Sequence, residues 1–219
     1  MNKRVESAFV FPNSKSAPCP KRNAMRVASK AFGVSLSVAL VCLVLRAGPV
    51  EDGVHGHVFR NNAIGLTYTI PENLFPKSES EIRADGIQLD PTGREHIVLA
   101  MWSTPERTGI PRMAFLYDTK VRPTSLSRKE IAAGWIESLT KTMKDDSNVK
   151  MSEPKAVSLG GITMWRVDYW QGHGYVLPYN SAIVIPLADR KLLAIQLNAT
   201  SQSELDTEVD SLRELRFDK

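Results

Sequence analysis

Ile162-Thr-Met-Trp-Arg-Val-Asp-Tyr-Trp170, then the turn Gln171-Gly-His-Gly174, then the two runs Ser181 to Leu187 and Lys191 to Asn198, decide the fold of this chain. The first stretch alternates with period two. It sets Ile162, Met164, Arg166, Asp168 and Trp170 on one face and Thr163, Trp165, Val167 and Tyr169 on the other, which predicts a strand. The two later runs are apolar almost throughout and are separated by Asp189-Arg190, which predicts a hairpin inside an antiparallel sheet.

Outward from this centre the strands continue. Ile64-Gly-Leu-Thr-Tyr-Thr-Ile70 alternates and runs into Pro71; Ile97 to Trp102 is continuously apolar and reads as a central strand; Arg112 to Thr119 reads as another. Two helices are signalled by their starts. Ser127-Arg-Lys-Glu130 is a capping box, and behind it Ile131, Trp135, Leu139 and Met143 recur every four residues with Ala132 and Ile136 beside them. Ser201-Gln-Ser-Glu204 is a second box, opening a helix that carries Leu205, Val209 and Leu212, with Leu215 and Phe217 packing back as a tail. Strands, a long helix, a hairpin and a closing helix make an α+β fold: an antiparallel β-sheet with helices packed on its faces. A body of about 160 residues is large enough to bury a core without staples.

The chain has 219 residues, 42% apolar and 24% charged, which excludes a collagen-like, low-complexity or polytopic membrane protein. Its net charge of +4 is unevenly spread. Residues 1–50 hold eight Lys and Arg against one Glu, and the rest hold 20 against 23 Asp and Glu. The body is therefore mildly acidic, which argues against nucleic acid as a partner, because phosphate neutralisation needs a positive face. The two cysteines, Cys19 and Cys42, both fall before residue 51, so the body has no thiol nucleophile, disulfide or thiolate metal site.

Residues 1–30 read as a disordered basic tail, with Lys3, Arg4, Lys15, Lys21, Arg22, Arg26 and Lys30 among Ser, Pro and Asn. From Ala31 to Leu45 there are fifteen uncharged residues, ended by Arg46 and by Gly48-Pro49. Fifteen is short of the ~20 a bilayer span needs and fits the apolar region of a signal peptide. Residues 31–47 are thus expected to be a signal peptide or a signal-anchor helix. A start at Met25 would give the signal an ordinary length, and cleavage after Ala47 would leave Leu45 at a poor position. Cys42 lacks a small residue before it, which speaks against lipid acylation. Residues 48–57 read as a linker and 58–219 as one domain. The expected location is exported, periplasmic or extracellular, with inner-membrane anchoring through Ala31 to Leu45 as the alternative.

Phe59-Arg-Asn-Asn-Ala-Ile-Gly-Leu-Thr-Tyr-Thr-Ile-Pro71, the Gly160-Gly161 turn, Lys191-Leu-Leu-Ala-Ile-Gln-Leu-Asn-Ala199 and the Ser/Glu-capped closing helix together resemble a PsbP-like domain over about residues 57–217. The resemblance implies an α/β/α sandwich, a fold used for extrinsic photosystem II subunits, a Ran-binding protein and many exported bacterial proteins. It implies nothing residue by residue about a metal or a partner, because no binding motif of that family is matched here.

Four histidines are present. His55-Gly-His57 has metal-capable imidazoles but no third ligand beside it except Asp52, and His96 neighbours Glu95. His173 lies in Tyr169-Trp-Gln-Gly-His-Gly-Tyr175, close to Pro178-Tyr179-Asn180. Aromatic faces with amides nearby bind sugars or small rings, so Trp170, Gln171, His173, Tyr175, Tyr179 and Asn180 form the candidate ligand site. The same letters also serve a plain sheet hairpin with an aromatic core. No catalytic residue is assigned: Gly-x-Ser-x-Gly, P-loop, Gly-x-Gly-x-x-Gly and His-Glu-x-x-His patterns are all missing, and Asp145-Asp146 sits at a helix end. No cofactor or metal is expected. The sequence reads as an exported or membrane-anchored, non-enzymatic accessory domain that binds a protein or small ligand. The alternatives are a hydrolase using His173 with Asp168, and a purely structural envelope protein.

Overall fold

The computed structural model describes residues 51–85, 94–143, 148–172 and 175–218. The basic tail, the apolar run from Ala31 to Leu45, Asp145-Asp146 and His173 lie outside the described residues. No helix among the described residues is long and apolar enough to cross a membrane.

An eight-stranded antiparallel sheet forms the centre. Its order is β4 (Phe75–Ser78), β5 (Glu95–Trp102), β6 (Met113–Asp118), β11 (Leu192–Ala199), β10 (Tyr179–Pro186), β9 (Ile162–Gln171) and β7 (Val149–Met151), with β8 (Lys155–Leu159) also paired to β9. The decisive hairpin is β10–β11, in register from Tyr179 opposite Ala199 to Pro186 opposite Leu192. Its turn, residues 187–191, contains Arg190 in left-handed backbone (φ 65°). The run at Ile97 becomes β5, an interior strand beside β4 near one edge of the sheet.

Period-two alternation gives this sheet two apolar faces. Leu193, Ile195 and Leu197 of β11, with Met113 and Phe115 of β6, look toward one cluster; Leu192 and Ala194, with Ala114 and Leu116, look toward the other. A register shift between Ile97 and Leu99 explains why Val98 and Leu99 both join the first cluster.

The first face is covered by a small sheet and a helix. The small sheet runs β1 (Gly53–His55), β2 (Val58–Asn61), β3 (Leu66–Thr69) and β12 (Leu215–Phe217), and contributes Phe59, Leu66 and Tyr68; α3 (Gln202–Ser211) contributes Leu205 and Val209. The ordered sheet therefore begins at Gly53, inside the stretch read as a linker, and the C-terminal tail is a strand, with Leu215 opposite Tyr68. The second face is covered by α1 (Glu79–Ala84), through Ile82, and by α2 (Arg128–Met143), through Ile131, Ala132 and Ile136. Helices on both faces of an antiparallel sheet are the α+β sandwich that the sequence predicts.

The stripe on α2 differs in its centre. Trp135, Leu139 and Met143 are only partly buried, while Ala132 and Ile136 are sealed. Four residues overshoot a 3.6-residue turn, so a row spaced every four drifts off the packed line. The capping box of α2 closes as expected: the Ser127 amide donates to Glu130 Oε2 at 2.7 Å and the Glu130 amide to Ser127 Oγ at 3.2 Å. The second box is half made. The Glu204 amide donates to Ser201 Oγ at 3.2 Å, but the Glu204 carboxylate accepts from Thr200, both amide (2.9 Å) and hydroxyl (2.5 Å), instead of from Ser201. The Gly160-Gly161 turn does need glycine: φ is 57° and 80°, and a Cβ on Gly160 would stand 2.7 Å from the Arg213 carbonyl oxygen.

Candidate functional site

Strand alternation decides what becomes of the predicted aromatic site. Tyr179 pairs with Trp170 and Asn180 with Tyr169, so Trp170 and Tyr179 point to the α3 side of the sheet while Tyr169, Gln171 and Asn180 point to the α2 side. Tyr175, in the loop between β9 and β10, lines a recess on the α2 side together with Gln171 and Asn180. The six candidate residues thus divide. Gln171, Tyr175 and Asn180 come together, Trp170 and Tyr179 lie behind them across the sheet, and His173 is outside the described residues. Trp170 is covered by its cross-strand neighbour Lys150, whose Nζ stands 5.6 Å from the ring centroid.

The recess lies between the last turn of α2 and the ends of β9, β10 and β11, and holds about 40 Å³. Its polar wall is built from residues the motif search passed over. Gln196 and Asn198 share the α2 face of β11, and Tyr169 shares it on β9. Gln196 Nε2 donates to Tyr169 Oη at 2.6 Å and to Asn198 Oδ1 at 3.2 Å; Asn198 Nδ2 donates to the Pro111 carbonyl at 2.8 Å; Asn180 Nδ2 donates to Gln171 Oε1 at 3.4 Å and to the Leu177 carbonyl at 3.2 Å. Burial pushes the Tyr169 phenol well above its ordinary value, against the opposing bond from Gln196, so it stays a neutral hydroxyl. The signal for these residues was present as two amides at i and i+2 in an otherwise apolar strand.

Beside the recess a second concavity of about 620 Å³ runs between α2 and the β7–β9 edge. Trp165, Ile136, Met143, Val149 and Met151 give it an apolar floor, with Lys129, Glu137 and Glu153 on the rim. Met143 lines both concavities, and Val149 pairs directly with Gln171, so they adjoin. The volume is in the range of small-molecule sites.

The α3 side carries charge instead. Arg112 is buried and donates to Glu208 Oε1 from Nε (3.0 Å) and Nη2 (2.7 Å), and it also pairs with Glu204. Burial pushes the Glu208 carboxyl up to about 7; Arg112 opposes the rise and Glu204 adds to it. Among the described residues Glu208 Oε2 has no hydrogen-bond partner. Asp168 accepts from Arg166 Nε at 2.6 Å and lies 3.6 Å from Lys155 Nζ, and Arg166 reaches Asp206 of α3 at 3.5 Å. Among the described residues no three His, Cys, Asp or Glu gather in a way that holds a metal ion.

No family model matches this chain, and no curated protein does. Among solved structures it is similar to cyanobacterial PsbP (CyanoP) from Synechocystis sp. PCC 6803, at 12% identity and a TM-score of 0.47, over 74% of this chain and 91% of that one. It is also similar to LpqN, involved in cell envelope biogenesis of Mycobacterium tuberculosis, at 19% identity and a TM-score of 0.33, over 68% of this chain and 78% of that one.

Proposed function

We propose that this chain is an exported, non-enzymatic binding domain that takes a small ligand in the concavities beside α2. The observation that carries the reading is the apolar-floored trough with the Trp165 ring in it, continuous over Met143 with a recess of uncharged polar groups. Such a pairing suits recognition of a molecule with an apolar body and a polar end. Export rests on the basic tail followed by the fifteen uncharged residues from Ala31 to Leu45.

The hydrolase alternative is not favoured by the surroundings of Asp168. A carboxylate that orients a catalytic histidine needs an oxygen free to accept from the imidazole. Both Asp168 oxygens face cations, and the side chain lies on the α3 side, across the sheet from the recess.

The full-length protein, titrated with the neutral apolar dye N-phenyl-1-naphthylamine, should bind saturably with energy transfer from tryptophan. Trp165→Ala should reduce that affinity by about tenfold or more. Saturable binding unaltered by Trp165→Ala, or no binding, would overturn the trough as the site. Export is checked separately by fractionating a tagged full-length chain, and recovery wholly in the cytosol would sink it.

A further inference from the structure

The recess differs from the trough in its chemistry. Among the described residues its lining includes five polar side chains, Tyr169, Gln171, Asn180, Gln196 and Asn198, each more than nine-tenths buried, and no charged one. Buried polar groups are costly unless they are hydrogen-bonded, and most in folded proteins are. Here the internal bonds use only part of the capacity. Among the described residues the Tyr169 hydroxyl accepts from Gln196 but has no acceptor for its own proton; Gln171 Nε2 donates to nothing; Gln196 Oε1 and Asn180 Oδ1 accept from nothing. These are not sealed defects, because the sealed unpartnered atoms of the described residues are elsewhere, on Asn61, Ser181 and Glu208. Two donors and two acceptors thus belong to the walls of one small space.

The free volume of about 40 Å³ corresponds to roughly three waters, since one water-sized probe occupies about 10–15 Å³. That is the size of a primary carboxamide group. A carboxamide carries a two-proton donor and a two-lone-pair acceptor on one plane, which complements two acceptors and two donors. A carboxylate would bring acceptors alone and leave Gln196 Oε1 and Asn180 Oδ1 unpaired; an ammonium or amidinium would bring donors alone. Either charge would also be desolvated with no counter-ion among the described residues of the wall. At the mouth stand the Tyr175 ring and Ile110, itself 43% exposed, and the neighbouring Val176 is 78% exposed. On the other side Met143 leads from the recess into the trough, which gives an apolar body attached to the head its way out.

We propose that the recess at the end of β9, β10 and β11 is a selective site for the neutral carboxamide or lactam head of a small ligand whose apolar body passes over Met143 into the trough. It rests on the small-ligand reading above and specifies which end of the ligand enters where.

The test compares benzamide, benzoate and benzamidine, which share a ring and differ in the head. The full-length protein, labelled with ¹⁵N, is titrated with each while the side-chain amide signals of Gln171, Asn180, Gln196 and Asn198 and the indole N–H of Trp165 are followed. Benzamide should move the recess amides saturably, with an affinity at least about tenfold above benzoate and benzamidine. Gln171→Leu should weaken benzamide by about tenfold. Tyr169→Phe, which keeps the ring and its packing, should weaken benzamide by at least threefold or so if the hydroxyl donates to the head. Equal affinity for the three heads would overturn the proposal. So would recess signals that stay fixed, the mark of a space holding ordered water only. If the Trp165 indole then responds saturably to N-phenyl-1-naphthylamine, the binding domain stands and only the carboxamide head is lost. If neither region responds to any probe, both readings fall.

Discussion

Glu208→Gln should flatten the pH dependence of stability between about pH 5 and 8. Glu208 is held between Arg112, which stabilises its charge, and two opposing effects, burial and the nearby Glu204. The opposing effects win, since the carboxyl stands at about 7 against an ordinary 4.5. A carboxyl raised in the folded state binds its proton more tightly folded than unfolded. Its contribution is therefore fully present below about pH 4.5 and is lost as pH climbs through about 7. At 1.36 kcal/mol per pKa unit the loss amounts to about 3 kcal/mol by pH 8. Gln keeps the shape and one acceptor for Arg112 and places a donor where Oε2 now has no partner. Arg112 retains Glu204 as a counter-charge, so the usual cost of stranding a buried cation is avoided. Glu204 itself does not blur the window. Burial works against its charge, but Thr200 and Arg112 outweigh it and hold its carboxyl below the ordinary range. Urea unfolding at half-unit steps would give the curve for parent and variant, and their difference removes contributions from other groups. The variant should match the parent near pH 5 and exceed it by 1–3 kcal/mol or so near pH 8. A parent that gains stability from pH 5 to 8 relative to the variant would refute the reasoning, because the Arg112 attraction would then outweigh desolvation.

Ile136→Ala should cost about 2–5 kcal/mol in chemical denaturation, since Ile136 is sealed in the cluster under α2. Trp135→Ala should cost less despite the larger side chain, because Trp135 is partly buried; equal losses would put both on the packed line. Gly160→Ala should cost ~2 kcal/mol or more, from positive φ plus a backbone clash at Arg213, whereas Gly161→Ala, with open space around it, should cost only about 1 kcal/mol.

Much of the fold could be read because its elements announce themselves locally. The alternation from Ile162 to Trp170, the apolar runs either side of Asp189-Arg190 and the two Ser-x-x-Glu boxes all mark structure through neighbours in the chain. What escaped was either short or non-local. α1 spans six residues, too few for a stripe, although Ser78 and Glu81 form a capping box. β7 and β8 are short edge elements, and β8 is largely exposed, so burial gives them little pattern. The candidate site fared similarly. Adjacency in sequence gathered Trp170 with Gln171 and Tyr179 with Asn180, yet neighbours in a strand face opposite ways. The recess is instead assembled from alternate residues on three strands, with Gln196 and Asn198 supplied from well beyond the aromatic turn. Only the register of β9, β10 and β11 makes that grouping.

The pairing of β12 with β3 has a temporal consequence. The small sheet joins strands separated by nearly the whole body, and Leu215 is sealed only when it meets Tyr68 and its neighbours. A chain emerging from the ribosome exposes β1, β2 and β3 early, but their fourth strand arrives last. Until then the apolar inner face of that sheet and the underside of β6 and β11 wait without α3 and β12. Closing such a long loop is entropically slow, so the domain is completed only once β12 has been made. That delay suits the export proposed above, and it makes the interval a natural point for a chaperone to hold the chain.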